Sequence, residues 1–325
     1  MGSLRIHFGV ADLSRTQVLG THDPMWETVC AVHRLQTPLG RHDYTAWRQK
    51  LRANLHQAGG LPAIREFLVP LLPRSAYFPD LLTPAPSADL DVTIDRIQRT
   101  DVRRLRRELG RLDPPAYARN AVADVAAGRP AALNRLGAAL RDFYRLAIEP
   151  HLATVSATLA ADRARRAAQV LTEGPGNLLH GLGPTVRWDP PVLTVAGYPV
   201  DRDLELGGRG LTLVPSYFCW RYPIALADPD LPPVLVHPVQ RASGELVRPP
   251  PGLIRLLGRT RSAVLQLTWA GATTSELARL TGASLATVSE HATVLRNAGL
   301  IASHRHGNMM IHRVTDLGTS LLRRH

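Results

Sequence analysis

Lysine is almost missing from this chain. Of its 39 basic residues only Lys50 is a lysine, and an arginine-dominated, Ala- and Pro-rich composition fits a GC-rich genome. Cysteine is nearly as scarce. Cys30 and Cys219 stand far apart in sequence, which argues against a disulfide framework and a cysteine-rich metal site. Two buried, reduced thiols of a cytoplasmic protein are expected instead. No run of ~18 apolar residues exists, so no segment is expected to span a membrane. "MGSLRIHFGV" lacks an apolar stretch followed by a small-residue cleavage site, so no signal peptide is read. Ile6 also stands where a myristoylation start wants Ser or Thr. Catalytic signatures are missing too: there is no Ser or Cys elbow, phosphate loop or metal-ligand spacing. "HGLG" (180–183) and "LGG" (206–208) are glycine turns outside a nucleotide-site context. The expectation is a non-enzyme with no cofactor and no metal.

What the chain has is positive charge. Its formal charge is +12 with a pI near 10.8, which points to a polyanionic partner. The charge is unevenly spread. Residues 253–325 hold nine arginines against three acids (Glu276, Glu290, Asp316), a net of +6, and the 252 residues before them also net +6. Per residue, the C-terminal segment is more than three times as basic.

At roughly 100–200 residues per domain, 325 residues suggest two domains, or three. "RPPPG", Arg248 to Gly252, cannot continue a helix or central strand and reads as a stiff linker (248–252). Before it, residues 1–182 read mainly helical. Asp23 is an N-cap with Pro24 at the first helical position, and residues 43–58, 93–110, 115–127, 130–148 and 151–174 follow. Residues 185–240 carry short β-type runs that suggest a small antiparallel sheet of four or five strands. Leu204, Leu206, Leu211 and Leu213 around a glycine turn read as a hairpin. The expected fold is therefore α+β, mainly α. Residues 1–247 form a dimerisation and effector region, and residues 253–325 a C-terminal domain.

The C-terminal domain carries the sharpest pattern. Thr273-Thr274-Ser275-Glu276 fits a capping box, Leu277 and Leu280 give an apolar stripe, and Thr281-Gly282-Ala283 is a short turn. Ser284 caps a second helix whose core face is Val288, Ala292 and Leu295, and Gly299 ends it. Its open face holds Ala286, Thr287, Ser289, Glu290 and Thr293, with Arg296 further along. Short side chains near a helix N-terminus suit major-groove entry. Two β-type runs, 300–306 and 309–314, then flank Gly307-Asn308, a two-residue hairpin turn. His304, Arg305, His306, Asn308 and Arg313 surround it. Helix 253–268 adds Arg255, Arg259 and Arg261.

On "GRTRSAVLQLT", "TTSELARLTGASLATVSEHATVLRNAGLI" and "HGNMMIHRVTDLG", residues 253–320 resemble the winged helix-turn-helix domain of ArsR-type bacterial regulators. "DPMWETV" and "YFPDLLTP" resemble the long N-terminal region of actinobacterial members of that group. The resemblance implies a homodimeric one-component repressor that binds a palindromic DNA operator and is released by an inducer. Metal-sensing members carry Cys-x-Cys where this chain has Ser275-Glu276-Leu277-Ala278. The chain also ends soon after the wing, so a C-terminal metal-ligand helix is short or missing. Metal sensing is therefore not expected.

Other readings stand beside these. A winged helix can serve protein contacts. His304, His306 and His312 can hold a metal or solvate a wing. "RARR" (163–166) can touch DNA or form a solvated helix face. Trp188, Tyr217, Trp220 and Arg221 can line an effector pocket, with "SYFCWRY" (216–222) the best candidate, or serve as core. A constitutive or architectural DNA binder and an enzyme fused to a DNA-binding module are the alternative functions.

Overall fold

The computed structural model describes residues 2–37, 44–58, 62–75, 77–183, 185–239, 251–268, 272–306 and 309–323. For Pro175, Pro251, Glu276, Arg279, Leu280, His306, Met309, Asp316 and Arg323 it describes the backbone alone. The fold is α+β and mainly helical, and the chain forms two compact units, residues 1–240 and 241–325.

In the first unit the helices begin where local chemistry says they should. Asp23 accepts from the Trp26 amide at 2.8 Å, and Pro24 opens helix Pro24–Leu35. Pro130 likewise opens Pro130–Ala147. Thr45–Gln57 falls within the expected 43–58. The helix expected over 93–110 is two, Leu90–Gln98 and Val102–Leu109. They divide at Asp101, whose carboxylate accepts from the Arg103 amide at 2.8 Å and so caps a fresh start. Of the 115–127 expectation, Arg119–Ala126 is α-helical.

Helix Leu152–Glu173 stops at Gly174, φ +86°. Its orientation reverses the expected solvated "RARR" face. Asp162 and Arg166 are buried beside Val155 and Leu159, whereas Ala153, Ala157, Ala160, Ala164 and Ala168 are exposed. Arg166 can be buried because Asp162, one turn back, holds its Nε at 2.7 Å. The Gly181 carbonyl accepts from its Nη2 at 3.2 Å.

The β region differs from the expected single antiparallel sheet. There are two four-stranded sheets, and both are mixed. One comprises Val186–Asp189 (β3), Val192–Tyr198 (β4), Gly2–His7 (β1) and Arg202–Glu205 (β5), in the order β3-β4-β1-β5. The other comprises Gln17–Val18 (β2), Thr212–Ser216 (β6), Val234–Pro238 (β8) and Ile224–Ala225 (β7), in the order β2-β6-β8-β7. The β1–β5, β2–β6 and β6–β8 pairs are parallel. The hairpin expected at 204–213 is therefore not formed, because β5 and β6 belong to different sheets.

Burial explains the choice. Along β6 and β8, successive residues face opposite cores: Val214, Val234 and Val236 join the helical core, while Leu213 and Leu235 join a second core with Leu4, Ile6, Leu193 and Val195. A strand apolar on both faces must lie between two layers. The first sheet instead alternates, with Leu4 and Ile6 inward and Ser3, Arg5 and His7 less buried.

The second unit starts with a correction. Pro251 and Gly252, expected in a linker, open helix Pro251–Leu257, since proline is tolerated in a first turn. The remainder of 248–252 lies outside the described residues. The helix expected over 253–268 breaks at Gly258, φ +80°, which caps a second helix, Arg259–Leu267. Helices Thr274–Thr281 and Leu285–Asn297 follow. A three-stranded sheet, in the order β10-β11-β9, is built from Ala272–Thr273 (β9), Ile301–His306 (β10) and Met309–Val314 (β11). Val288, Ala292 and Leu295 are all at most 1% exposed in a core with Val264, Leu265 and Leu277. Complete burial of such a leucine or valine contributes about 1.5–3 kcal/mol.

Candidate functional site

Helix Leu285–Asn297 is held at both ends. Ser284 Oγ accepts from the Thr287 amide at 3.1 Å and lies 2.8 Å from Thr287 Oγ1. At the far end Gly299, φ +69°, donates to the Arg296 carbonyl, and the Leu300 amide reaches the Leu295 carbonyl at 2.9 Å. This pair of bonds is the Schellman motif and requires the left-handed glycine. The C-terminal helix Asp316–Arg323 then crosses the same turn: a Cβ on Gly318 would lie 2.2 Å from the Leu300 carbonyl oxygen.

With that core face fixed, Ala286, Ser289, Glu290 and Arg296 are exposed. Thr287 and Thr293 are half-buried. Thr287 belongs to the cap, and Thr293 Oγ1 donates to the Ser289 carbonyl at 2.9 Å. Sequence reasoning missed Leu285. It follows the cap, is 57% exposed, and adds an apolar contact beside the short polar ones. Its only sequence signal is that it falls outside the 288–292–295 spacing.

The hairpin register sorts the remaining candidates. Strands β10 and β11 pair antiparallel from Ile301↔Val314 to His306↔Met309. His304 and Arg305 are exposed and Arg313 is half-buried. Directly opposed residues share a face, so His304, opposite Ile311, and Arg313, opposite Ala302, lie on one side, and Arg305, opposite Met310, lies on the other. The His306 side chain, Asn308 and the Gly307-Asn308 turn lie outside the described residues.

His312 does not join the other histidines. It faces Ser303, is 3% exposed, and sits between Ser303 Oγ at 2.8 Å and Thr274 Oγ1 at 2.9 Å. Burial, with Arg296 nearby, pulls its pKa down, so this imidazole is a neutral link between the hairpin and helix Thr274–Thr281. The three-histidine metal reading fails on this register. Among the described residues no group of His, Cys, Asp or Glu is arranged to hold a metal ion.

Charge completes the picture. Arg255, Arg259 and Arg296 are exposed and have no hydrogen-bond or ion-pair partner among the described residues. Every ion pair among those residues lies between positions 5 and 228.

The effector candidates are only partly brought together. Tyr217, Trp220 and Arg221 share one loop after β6, but Trp188 packs edge-on against Phe8 at 5.0 Å in the second core. The loop is built on Glu27, which the sequence gave no reason to single out beyond an acidic first helical turn. Its buried carboxylate accepts from Ser216 Oγ at 2.8 Å, the Tyr217 amide at 2.7 Å and the Phe218 amide at 3.0 Å. Burial outweighs these bonds and raises its pKa to about 7. Arg221 has φ +64°, uncommon for a non-glycine residue. Its guanidinium lies 5.3 Å from the Trp220 ring centre, and that of Arg34 lies 5.6 Å from it. Cys219, in the same loop, meets Cys30. Their hydrogen bond and complete burial push the Cys219 thiol well up, which disfavours the reactive thiolate.

No described helix is long and apolar enough to cross a membrane. Comparison with known proteins finds no matching family model, no matching curated protein and no matching solved structure.

Proposed function

We propose that the chain is a DNA-binding transcriptional regulator of the ArsR-like winged helix-turn-helix type, acting as a homodimer on a palindromic operator. Helix Leu285–Asn297 is the recognition helix and the β10–β11 hairpin the wing. The observation that carries this reading is one helix exposing Leu285, Ala286, Ser289, Glu290 and Arg296 beside unpaired, exposed Arg255 and Arg259. Short side chains let the helix backbone approach base edges. Ser289 and Glu290 supply hydrogen-bonding groups, and Leu285 can pack on a thymine methyl. The arginines neutralise phosphates and release counterions. Arg305 and His304 lie on opposite faces of the hairpin, so each bound wing uses one of them on the backbone.

Residues 1–240 are large enough to hold subunit contacts and a ligand site. A ligand that binds the operator-competent and incompetent forms unequally shifts their balance. Selection of bound sequences from a random DNA pool tests the function. A single palindrome is expected, with half-sites about one helical turn apart. Uniform protection of unrelated DNA points to an architectural binder instead. Ser289→Ala combined with Arg305→Ala should weaken operator binding, and unchanged affinity and salt dependence would show the assigned face to be wrong.

A further inference from the structure

Strands β2, β6 and β8 run parallel, so their carboxyl ends lie on one side of the sheet. That is the side on which parallel sheets form ligand crevices. A cavity of about 160 Å³ lies there, between the residues after β2, the end of β6 and helix Leu152–Glu173. Leu19, Leu159 and Pro215 form its apolar walls, and Thr21, His22, Ser156 and Arg163 its polar groups.

Arg163 differs from its neighbours. Arg165 and Arg166 both bind Asp162, at 2.6 and 2.7 Å. Half-buried Arg163 has no hydrogen-bond or ion-pair partner among the described residues, and neither do the Thr21 and Ser156 hydroxyls. A Cβ built on Gly20 would lie 3.9 Å from Arg163 Nη1, so the guanidinium reaches from the helix across to the β2 loop. His22 is bound through Nε2 to the Tyr144 hydroxyl at 3.2 Å, and burial lowers its pKa, which keeps the ring neutral. No carboxylate lines the cavity.

We propose that this cavity binds a small organic carboxylate. The carboxylate lies on the Arg163 guanidinium, whose planar fork matches its two oxygens. The Thr21 and Ser156 hydroxyls donate to it, and the ligand's apolar part lies against Leu19, Leu159 and Pro215. At about 160 Å³ the space is well below the roughly 300 Å³ at which drug-sized pockets begin, so nucleotides and other large anions are excluded. The site does not depend on the chain binding DNA.

Isothermal titration of the full chain at matched ionic strength tests the proposal, with acetate, propionate, butyrate, pyruvate, benzoate and inorganic phosphate as probes. At least one carboxylate should bind saturably. Arg163→Gln should weaken it by about tenfold or more, Arg163→Lys by less because charge survives without the fork. Arg187→Gln, on exposed β3, should leave binding unchanged. Matching far-UV circular dichroism and unfolding midpoints for the unliganded proteins would show that each variant folds. Three results would overturn the proposal: no carboxylate bound with a dissociation constant below about 10 mM, affinity unaffected by Arg163→Gln, or phosphate bound at least as tightly as every carboxylate.

Discussion

In residues 1–240 many arginines are bound to the protein itself. Arg104 holds Glu108, Arg135 holds Glu66, Arg141 holds Asp91, and Arg166 is buried against Asp162. In residues 241–325, Arg255, Arg259 and Arg296 lie in solvent without such partners among the described residues. The N-terminal 252 residues and the 73 that follow carry the same net charge, +6 each, so charge alone does not separate them. Pairing does. A desolvated guanidinium needs a carboxylate to offset the loss of water. An exposed, unpaired one is solvated at little cost and is available to a polyanion.

The largest test of this contrast is Asp162→Ala. It leaves Arg166, 2% exposed, as an uncompensated buried charge, and should cost about 3–5 kcal/mol of stability in urea unfolding. A loss below about 1 kcal/mol would mean that water reaches Arg166 and that the inward-turned arginine is not structural.

The next concerns Glu27. Its folded pKa, about 7, lies above its ordinary value of 4.5, so the native state keeps a proton that the unfolded chain has lost. Its stabilising contribution is therefore complete below about pH 4.5 and lost as pH rises through about 7, on the order of 3 kcal/mol in all. Buried His33 and His237, both lowered to about 3, act oppositely: their contribution is lost as pH falls below about 6.5. The difference between wild type and Glu27→Gln isolates the carboxylate. That difference should shift against wild type between about pH 5 and 8, and a flat difference would contradict the buried, protonated group.

These two groups also mark where the sequence stops being informative. The second unit was legible because its signals are local. Ser284 caps three residues on, Gly299 closes the helix it follows, and 288–292–295 is a spacing within one helix. Glu27 instead bonds amides about 190 positions away. Gly2–His7 becomes a strand only because β4 and β5, nearly 200 residues later, supply its two neighbours. Arg166 and the exposed alanines invert the usual helix pattern, since an acid four residues back and a carbonyl-rich loop make the inside the polar side. Composition cannot reveal any of these long-range partners.

Smaller effects sharpen the other half of the contrast. Ser284→Ala removes the cap of helix Leu285–Asn297 and should cost the second unit about 1 kcal/mol, read from its thermal transition. Arg259→Gln should change stability by less than about 0.5 kcal/mol, because no protein contact is lost, while still weakening DNA binding. A clear stability loss would mean that this arginine does have a protein partner.

The central claim is that exposed arginines of residues 241–325 meet DNA phosphates. Fluorescence anisotropy on the selected operator between about 50 and 200 mM salt tests it most directly. Wild type should lose affinity steeply, and Arg296→Ala with Arg305→Ala should lower the slope of log affinity against log salt by about two, one for each phosphate contact. An unchanged slope in the double variant, or no preference for the selected site over unrelated DNA, would contradict the account.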